Sequence, residues 1–396
     1  MKEISVTELF AKIRGVLTPQ NLIVLLAMSA FAPSSFTVVA MIIACLMILI
    51  TPEYQKGLFS FKGALLIPIF SAYAFIVAFF HKNMMGMAVA PVFFLLLVVF
   101  CFVRKHITNE TFETCLTGVC VMVIPAFIYA IFEMITSEST NGLVYRCTSY
   151  FFNANYFGAL MAAAIIICAY RIVDSKGKAI FYYFIALLAL FNIYLSASLF
   201  ALIEIVVGVA AYLLFSKHYR LFCLMVICGS LGVIMITSMP QLIPRLTEAS
   251  STTEYRIRIW GVAIREITRY PFFGKGFMAY FSTHQNYTSS YDTQHCHNVF
   301  LDCLLNFGVI GCLILLALGY YIAVRIVRCY KADKGGAQIS VVVALIAAVI
   351  SHCFTDITFF WIQTGLFYSV MMGAIGGEER RLGIPDDPIV RGKYRI

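Results

Sequence analysis

Charge is what this sequence has least of. Asp, Glu, Lys and Arg together make up 12% of the 396 residues, against 61% hydrophobic ones, and the mean hydropathy is +0.88. A soluble domain needs roughly 25% charged residues to cover its surface, so that class is excluded. The strict apolar/polar alternation of a membrane β-barrel is missing too. What remains are long apolar runs, close to the ~20 residues a helix needs to cross a bilayer. In lipid the backbone must satisfy its own polar groups, so the runs are expected to be helices. No CxxC pair occurs, and most of the 13 cysteines, such as Cys45, Cys101, Cys120, Cys168, Cys223, Cys228 and Cys312, lie inside apolar runs. They read as small buried residues rather than zinc ligands or a disulfide framework. No DxD and no His/Asp cluster stands out, so neither a metal nor a cofactor is expected. A cleavable-signal pattern is absent from Met1 to Gln20, so the first helix is expected to stay.

The fold class expected is an all-α integral membrane protein with about 12 transmembrane helices. The spans run approximately 21–33, 36–51, 64–80, 86–103, 115–135, 155–172, 179–196, 199–216, 220–239, 298–324, 337–354 and 357–376. Most of the 29 Lys and Arg then fall on segments sharing a side with the N-terminus; Lys82, Arg146 and the six of one long loop are the exceptions. Positive charge marks the cytoplasmic side. Both termini are therefore expected to be cytoplasmic, and the long loop between helices 9 and 10 to be extracytoplasmic. The net charge of +9 comes from these scattered residues, so no nucleic acid is expected as a partner. The organisation read from the sequence is 1–239 for helices 1–9, 240–297 for a large structured outer loop, 298–376 for helices 10–12 and 377–396 for a loosely ordered cytoplasmic tail.

The outer loop carries the residue types that chemistry needs. Glu254 to Thr268 has helical period, ended by Pro271, Gly274 and Gly276. On a helical wheel Arg256, Trp260, Ala263, Ile264 and Ile267 share the inward face, and Arg258, Arg265 and Arg269 the opposite one. An inward arginine at a membrane surface needs an anionic partner. Two readings stand: a structural pair with Glu133, Glu204 or Asp302, or a phosphate or pyrophosphate ligand suited to a planar guanidinium. Next comes His295-Cys296-His297-Asn298. A histidine there is either interfacial or a general base, since imidazole titrates near neutral pH. Asn298 reads as the N-cap of the following helix. Glu204 is costly in lipid and is expected to face the bundle interior, paired with an arginine or a polar side chain.

These residues resemble a known family. Arg256-Ile-Arg-Ile-Trp260, Tyr270-Pro271-Phe-Phe-Gly274-Lys-Gly276-Phe277, His297-Asn298-Val-Phe-Leu301 and Gly308 stand in the order and spacing of the outer loop of the O-antigen ligase and Wzy-type polymerase superfamily. Arg146-Cys-Thr-Ser-Tyr-Phe-Phe-Asn153-Ala-Asn155 resembles the family's Arg…Phe-x-Asn-Pro-Asn segment, with Ala154 in place of Pro. The resemblance implies metal-independent glycosyl transfer at the outer face of a bacterial cytoplasmic membrane. The donor is then a glycan on undecaprenyl pyrophosphate, and the acceptor a second glycan or glycolipid. His297 takes the role of base, Arg256 and Arg146 hold the pyrophosphate, and Asn298, Glu204 and Asn155 support them. One departure is Leu199, which stands where ligases of the family usually carry an Arg; Arg146 is a candidate to supply that charge. If Arg146 and His297 converge, Cys147 and Cys296 come close enough to pair. The competing reading is a transporter or flippase of lipid-linked glycan, since twelve helices with both termini inside also suit one. No matching halves support it.

Overall fold

The computed structural model describes residues 12, 14–137, 145–174, 179–239, 249–288, 290–333 and 336–385. The start of the expected outer loop at 240–248, the end of the tail at 386–396 and residues 1–11 lie outside the described residues. Within them the chain is helical, with no strand. The principal helices are α1 (Pro19–Ser29), α2 (Ser34–Ile50), α3 (Leu66–Phe80), α4 (Met84–His106), α5 (Asn109–Thr136), α6 (Ala154–Asp174), α7 (Ala179–Ser196), α8 (Leu199–Phe215), α9 (Tyr219–Ser238), α10 (Ala249–Arg269), α11 (Val299–Ala332), α12 (Ala337–His352), α13 (Ile362–Gly373) and α14 (Ile375–Arg381). Five of these, α4, α5, α6, α7 and α11, are long and apolar enough to cross a membrane by length and composition.

Local sequence sets the boundaries. Asn83 and Thr108 cap α4 and α5 by accepting from Gly86 N and Thr111 N, which satisfies amides that helix geometry leaves open. α6 is the most enclosed of the five long apolar helices, and its run from Gly158 to Ala164 is rich in small residues. At Gly158 a Cβ would meet Ser198 at 2.7 Å, so α8 can lie directly against it, and α8 packs in turn on α12. Small residues allow such close approach where lipid supplies no hydrophobic drive between helices. Glu204 on α8 is fully buried there and accepts a 3.0 Å hydrogen bond from Tyr368 of α13.

Two expectations about the last quarter of the chain are corrected. The span expected over 357–376 begins as a helix only at Ile362, because Asp356 to Trp361 is drawn into the polar cluster described below. The tail is not loose at its start: α14 is docked, with buried Glu379 pairing with both Arg104 (2.6 Å) and Arg325, and Arg380 Nη1 donating to Arg104 O at 2.8 Å. Charges of opposite sign at chain-distant positions drew that segment in, and no periodicity announces such a pairing.

α11 is broken at Gly308, where φ is 59° and ψ is −170°, a conformation open essentially to glycine alone. The segment after α10 is laid into the break. Val309 N donates to Pro271 O (2.9 Å), Ile310 N to Phe272 O (3.0 Å) and Gly276 N to Asn306 O (2.7 Å). The backbones approach so closely that a Cβ on Gly308 would sit 2.4 Å from the Phe272 carbonyl, and one on Gly274 2.5 Å from the 306–307 peptide. The Pro-x-x-Gly-x-Gly motif and the distant Gly308 are thus the two halves of one seam. Gly308→Ala is expected to cost at least ~1–3 kcal/mol. Gly319→Ala, with nothing within 4 Å of its added methyl, should be neutral or stabilising by ~0.5–1 kcal/mol. Thermal unfolding of both purified variants in detergent checks this; equal melting temperatures would count against the seam.

Candidate functional site

Trp260 explains how α10 positions the chemistry. Its Nε1 donates to Cys296 O at 3.0 Å, and Cys296 N donates to Asp302 Oδ1 at 3.0 Å. The peptide between the two histidines is therefore clamped from both sides. Beneath it Ile259, Val262 and Ala263 form a small core with Tyr280, Cys296 and Leu305. The buried stripe of α10 is 259, 262, 263 and 266, so the wheel is turned from the expected one and Ile264 is 51% exposed. Arg256 still lies on the inner flank, its guanidinium 5.0 Å over the Phe200 ring. Its field also reaches His352. Arg258 is exposed and pairs with Glu254 one turn away (2.6 Å). Asn298 caps α11, accepting from Phe300 N (3.0 Å) and Leu301 N (3.1 Å), and donates to Phe354 O. This is the capping role its position suggests.

Asp356, in the turn after α12, is the centre of the cluster and is wholly buried. It accepts from Asn155 Nδ2 (2.8 Å) and from Ile357 N (2.8 Å), and the Tyr156 hydroxyl donates to it at 3.5 Å. His297 Nδ1 and His295 Nε2 both stand 3.7 Å from its Oδ1. Burial opposes ionisation of Asp356, but the neighbouring His297, with the fields of His295 and His352, outweighs it and holds the carboxyl well below its ordinary range. Burial pushes His295 down to about 4, against the pull of Asp356. His297 N donates to His295 Nδ1 at 3.2 Å. Neutral His295 therefore carries its proton on Nε2, toward Asp356 and the Tyr156 oxygen 3.2 Å away.

His297 differs from these buried partners. Its backbone is left-handed, with φ 48°, and its side chain is 23% exposed against 8% for His295 and 1% for Asp356. Nδ1 faces Asp356, while Nε2 lies 3.3 Å from the Thr293 hydroxyl at the accessible side. A carboxylate on one nitrogen and access to the other is what a general base requires.

Arg146 joins the cluster through Asn155: Nη2 donates to Asn155 Oδ1, and Nε donates to Ser196 O at 3.1 Å. The sequence-nominated residues Arg146, Asn155 and His297 are thus linked through Asp356, which the sequence reading missed. Glu204 is buried on Tyr368, and Glu133 binds Tyr145, Thr148 and Ser149 rather than Arg256. His295, to which the resemblance gives no role, belongs to the cluster as well. The convergence of Arg146 and His297 does not pair the cysteines; Cys147 donates to Ala130 O, and both thiols are free. Asp356 and Tyr156 escaped notice because they are chain-distant from the histidines. The polar run Ser351-His352, Thr355-Asp356 at the end of an apolar span was the available signal.

The sequence reading found no metal-binding cluster. The fold does bring one donor set together, His295, His297 and Asp356, whose ligand atoms all lie within 4.8 Å of one another. In the structure Asp356 is engaged with Asn155, Tyr156 and Ile357 N as well as the histidines, which is also the pattern of a proton-holding network.

Residues 184–316 match the family model described as O-Antigen ligase. The match runs from α7 through α10 into α11, and so includes Arg256, Trp260 and His297. No curated protein matches the chain.

Proposed function

We propose, from the match of residues 184–316 to the family model described as O-Antigen ligase, that this chain moves a glycan from undecaprenyl pyrophosphate onto an acceptor glycan or glycolipid at the outer face of the cytoplasmic membrane, without a metal. The coarser statement, a membrane enzyme of the glycan-transferring ligase and polymerase kind, follows from the match itself. The observation that supports the finer reading is the Asp356–His297 pair, with one imidazole nitrogen 3.7 Å from the carboxylate and the side chain 23% exposed. The acceptor hydroxyl loses its proton to His297 Nε2 as it attacks the anomeric carbon. The bond to the pyrophosphate oxygen breaks, and the leaving group departs as a multiply charged anion. Fixed guanidinium groups stabilise charge developing there more than the ground state. Arg256 and Arg146 take that role. Arg146 reaches the α7–α8 junction through Ser196 O, three residues before Leu199, which supports its replacing the family's missing arginine.

A cavity of about 260 Å³ between α4, α11 and α13 supports the lipid part. Phe93, Leu97, Val299, Leu318 and Phe360 wall it, and Val299 stands two residues from His297. An isoprenoid chain suits such a wall, and its entry beside the site would present the pyrophosphate to the arginines. Twelve crossings with both termini inside remain part of this proposal.

The test is transfer from a purified lipid-linked glycan to an acceptor, with and without a chelator. Loss of transfer in chelator, restored by a divalent ion, would overturn the metal-free reading and assign the His295, His297 and Asp356 cluster to a metal. Arg256→Lys is expected to lower turnover ~10–100-fold, since a point ammonium cannot reproduce a two-pronged grip. Arg258→Ala should stay within a few-fold, being an exposed helical pair. The reverse order would mean that the wrong arginine faces the donor. Transport of lipid-linked glycan across vesicles without transfer would favour the flippase reading instead.

A further inference from the structure

At the far end of α11 from the histidines, ~30 Å of helix beyond Gly308, lies a second cavity. Its volume is about 420 Å³. Lys62, Arg325, Arg328, Tyr320 and Tyr321 line it, over an apolar floor that includes Leu66. Gly63 shapes the wall: the Tyr321 ring lies 3.0 Å from where a Cβ would stand, and it stacks on Phe61 with centroids 5.5 Å apart. Any larger residue at 63 would push the ring into the cavity.

The cations differ in what they already hold. Arg325 is committed, to Glu379 and to Pro385 O (2.9 Å). Glu379 is also paired with Arg104. Lys62 is exposed and Arg328 half-buried, and neither makes a hydrogen bond or ion pair among the described residues. A half-buried arginine without an anion is costly. Two unmatched cations, with tyrosines and an apolar wall beside them, form a site for a ligand that is anionic at one end and hydrocarbon at the other.

We propose that this cavity binds an anionic phospholipid of the leaflet at that face, its phosphodiester between Lys62 and Arg328 and an acyl chain along Leu66 and Tyr320. Basic pockets between membrane helices recognise such headgroups, each Lys or Arg contributing about five-fold in affinity. This inference is independent of the glycosyl-transfer reading, and its readout is lipid binding alone.

The experiment titrates the purified full chain in detergent with phosphatidylglycerol, with phosphatidylcholine of the same chains, and with inorganic phosphate, following native mass spectrometry and thermal unfolding. Phosphatidylglycerol is expected to bind and raise the melting temperature, while the other two do not. Lys62→Ala and Arg328→Ala should each weaken binding about five-fold, and the pair ~25-fold, with unliganded melting unchanged. Lys62→Gln and Arg328→Gln serve where an alanine variant does not purify. Equal binding of phosphatidylcholine would reduce the cavity to ordinary lipid contact. Equal protection by phosphate would make it a free-anion site, and unchanged affinity in the double variant would place the lipid elsewhere; each result overturns the proposal.

Discussion

Replacing His297 with alanine is expected to lower turnover ~10²–10⁴-fold, the usual worth of a positioned general base. The expectation rests on its two nitrogens facing different ways, Nδ1 to Asp356 and Nε2 to the accessible side beside Thr293. Because the side chain is partly exposed, its loss opens little cavity, so protein yield and melting temperature should stay near those of the parent. His297→Ala with full activity in a defined transfer assay would remove the base from the mechanism. A variant that neither folds nor binds donor would instead reveal a structural histidine.

Asp356→Asn should cost on the order of 10²–10⁴-fold in kcat, for a different reason. The substitution keeps the shape and can still accept from Asn155 Nδ2. It removes the charge that orients the His297 ring and supports its protonated form, and loss of the orienting carboxylate from a carboxylate–imidazole pair has effects of ~10⁴-fold elsewhere. Asp356 acts through His297, so the loss should fall on kcat with KM nearly unchanged. A rise in KM at constant kcat would show that the carboxylate serves substrate binding. Asp356→Ala is a harsher variant, because it strands Asn155, Tyr156 and His295 without their acceptor, and unpaired buried polar groups cost ~1–3 kcal/mol each.

Much of the helical scaffold was legible because lipid allows few alternatives. Scarce charge and ~20-residue apolar runs leave helices as the solution, and a helix lies at eleven of the expected positions essentially as read. The exception, 357–376, follows from local polarity: Asp356 and Thr358 belong to the site and pull the chain out of helix. The loop was legible in part. The four-residue offset of Arg256 and Trp260 predicts a shared face, and Trp260 does reach the histidine segment. The exact rotation was not, since Ile264 looks inward by hydropathy while Glu266, buried by Lys275 (2.8 Å), Arg269 (2.9 Å) and Tyr287, looks outward. Burial opposes ionisation of Glu266, but those three partners hold its carboxyl below its ordinary range. Pairing between chain-distant polar groups decides such cases, and a single sequence does not display it. Asp356 was missed for that reason.

The seam at Gly308 bears on how this protein can be taken apart. The segment after α10 holds its shape by hydrogen bonds given and received by the open backbone of α11, from Pro271 O, Phe272 O and Gly276 N to residues 306–310. It is therefore not a detachable module on a transmembrane base. A chimera that exchanges only residues 249–297 with a relative would join one protein's strap to another's broken helix, across backbone hydrogen bonds of 2.7–3.0 Å and an approach that leaves no room for a Cβ at Gly274 or Gly308. The smallest transplantable unit is the strap together with α11 past its break, and acceptor preference should travel with that whole piece rather than with the loop.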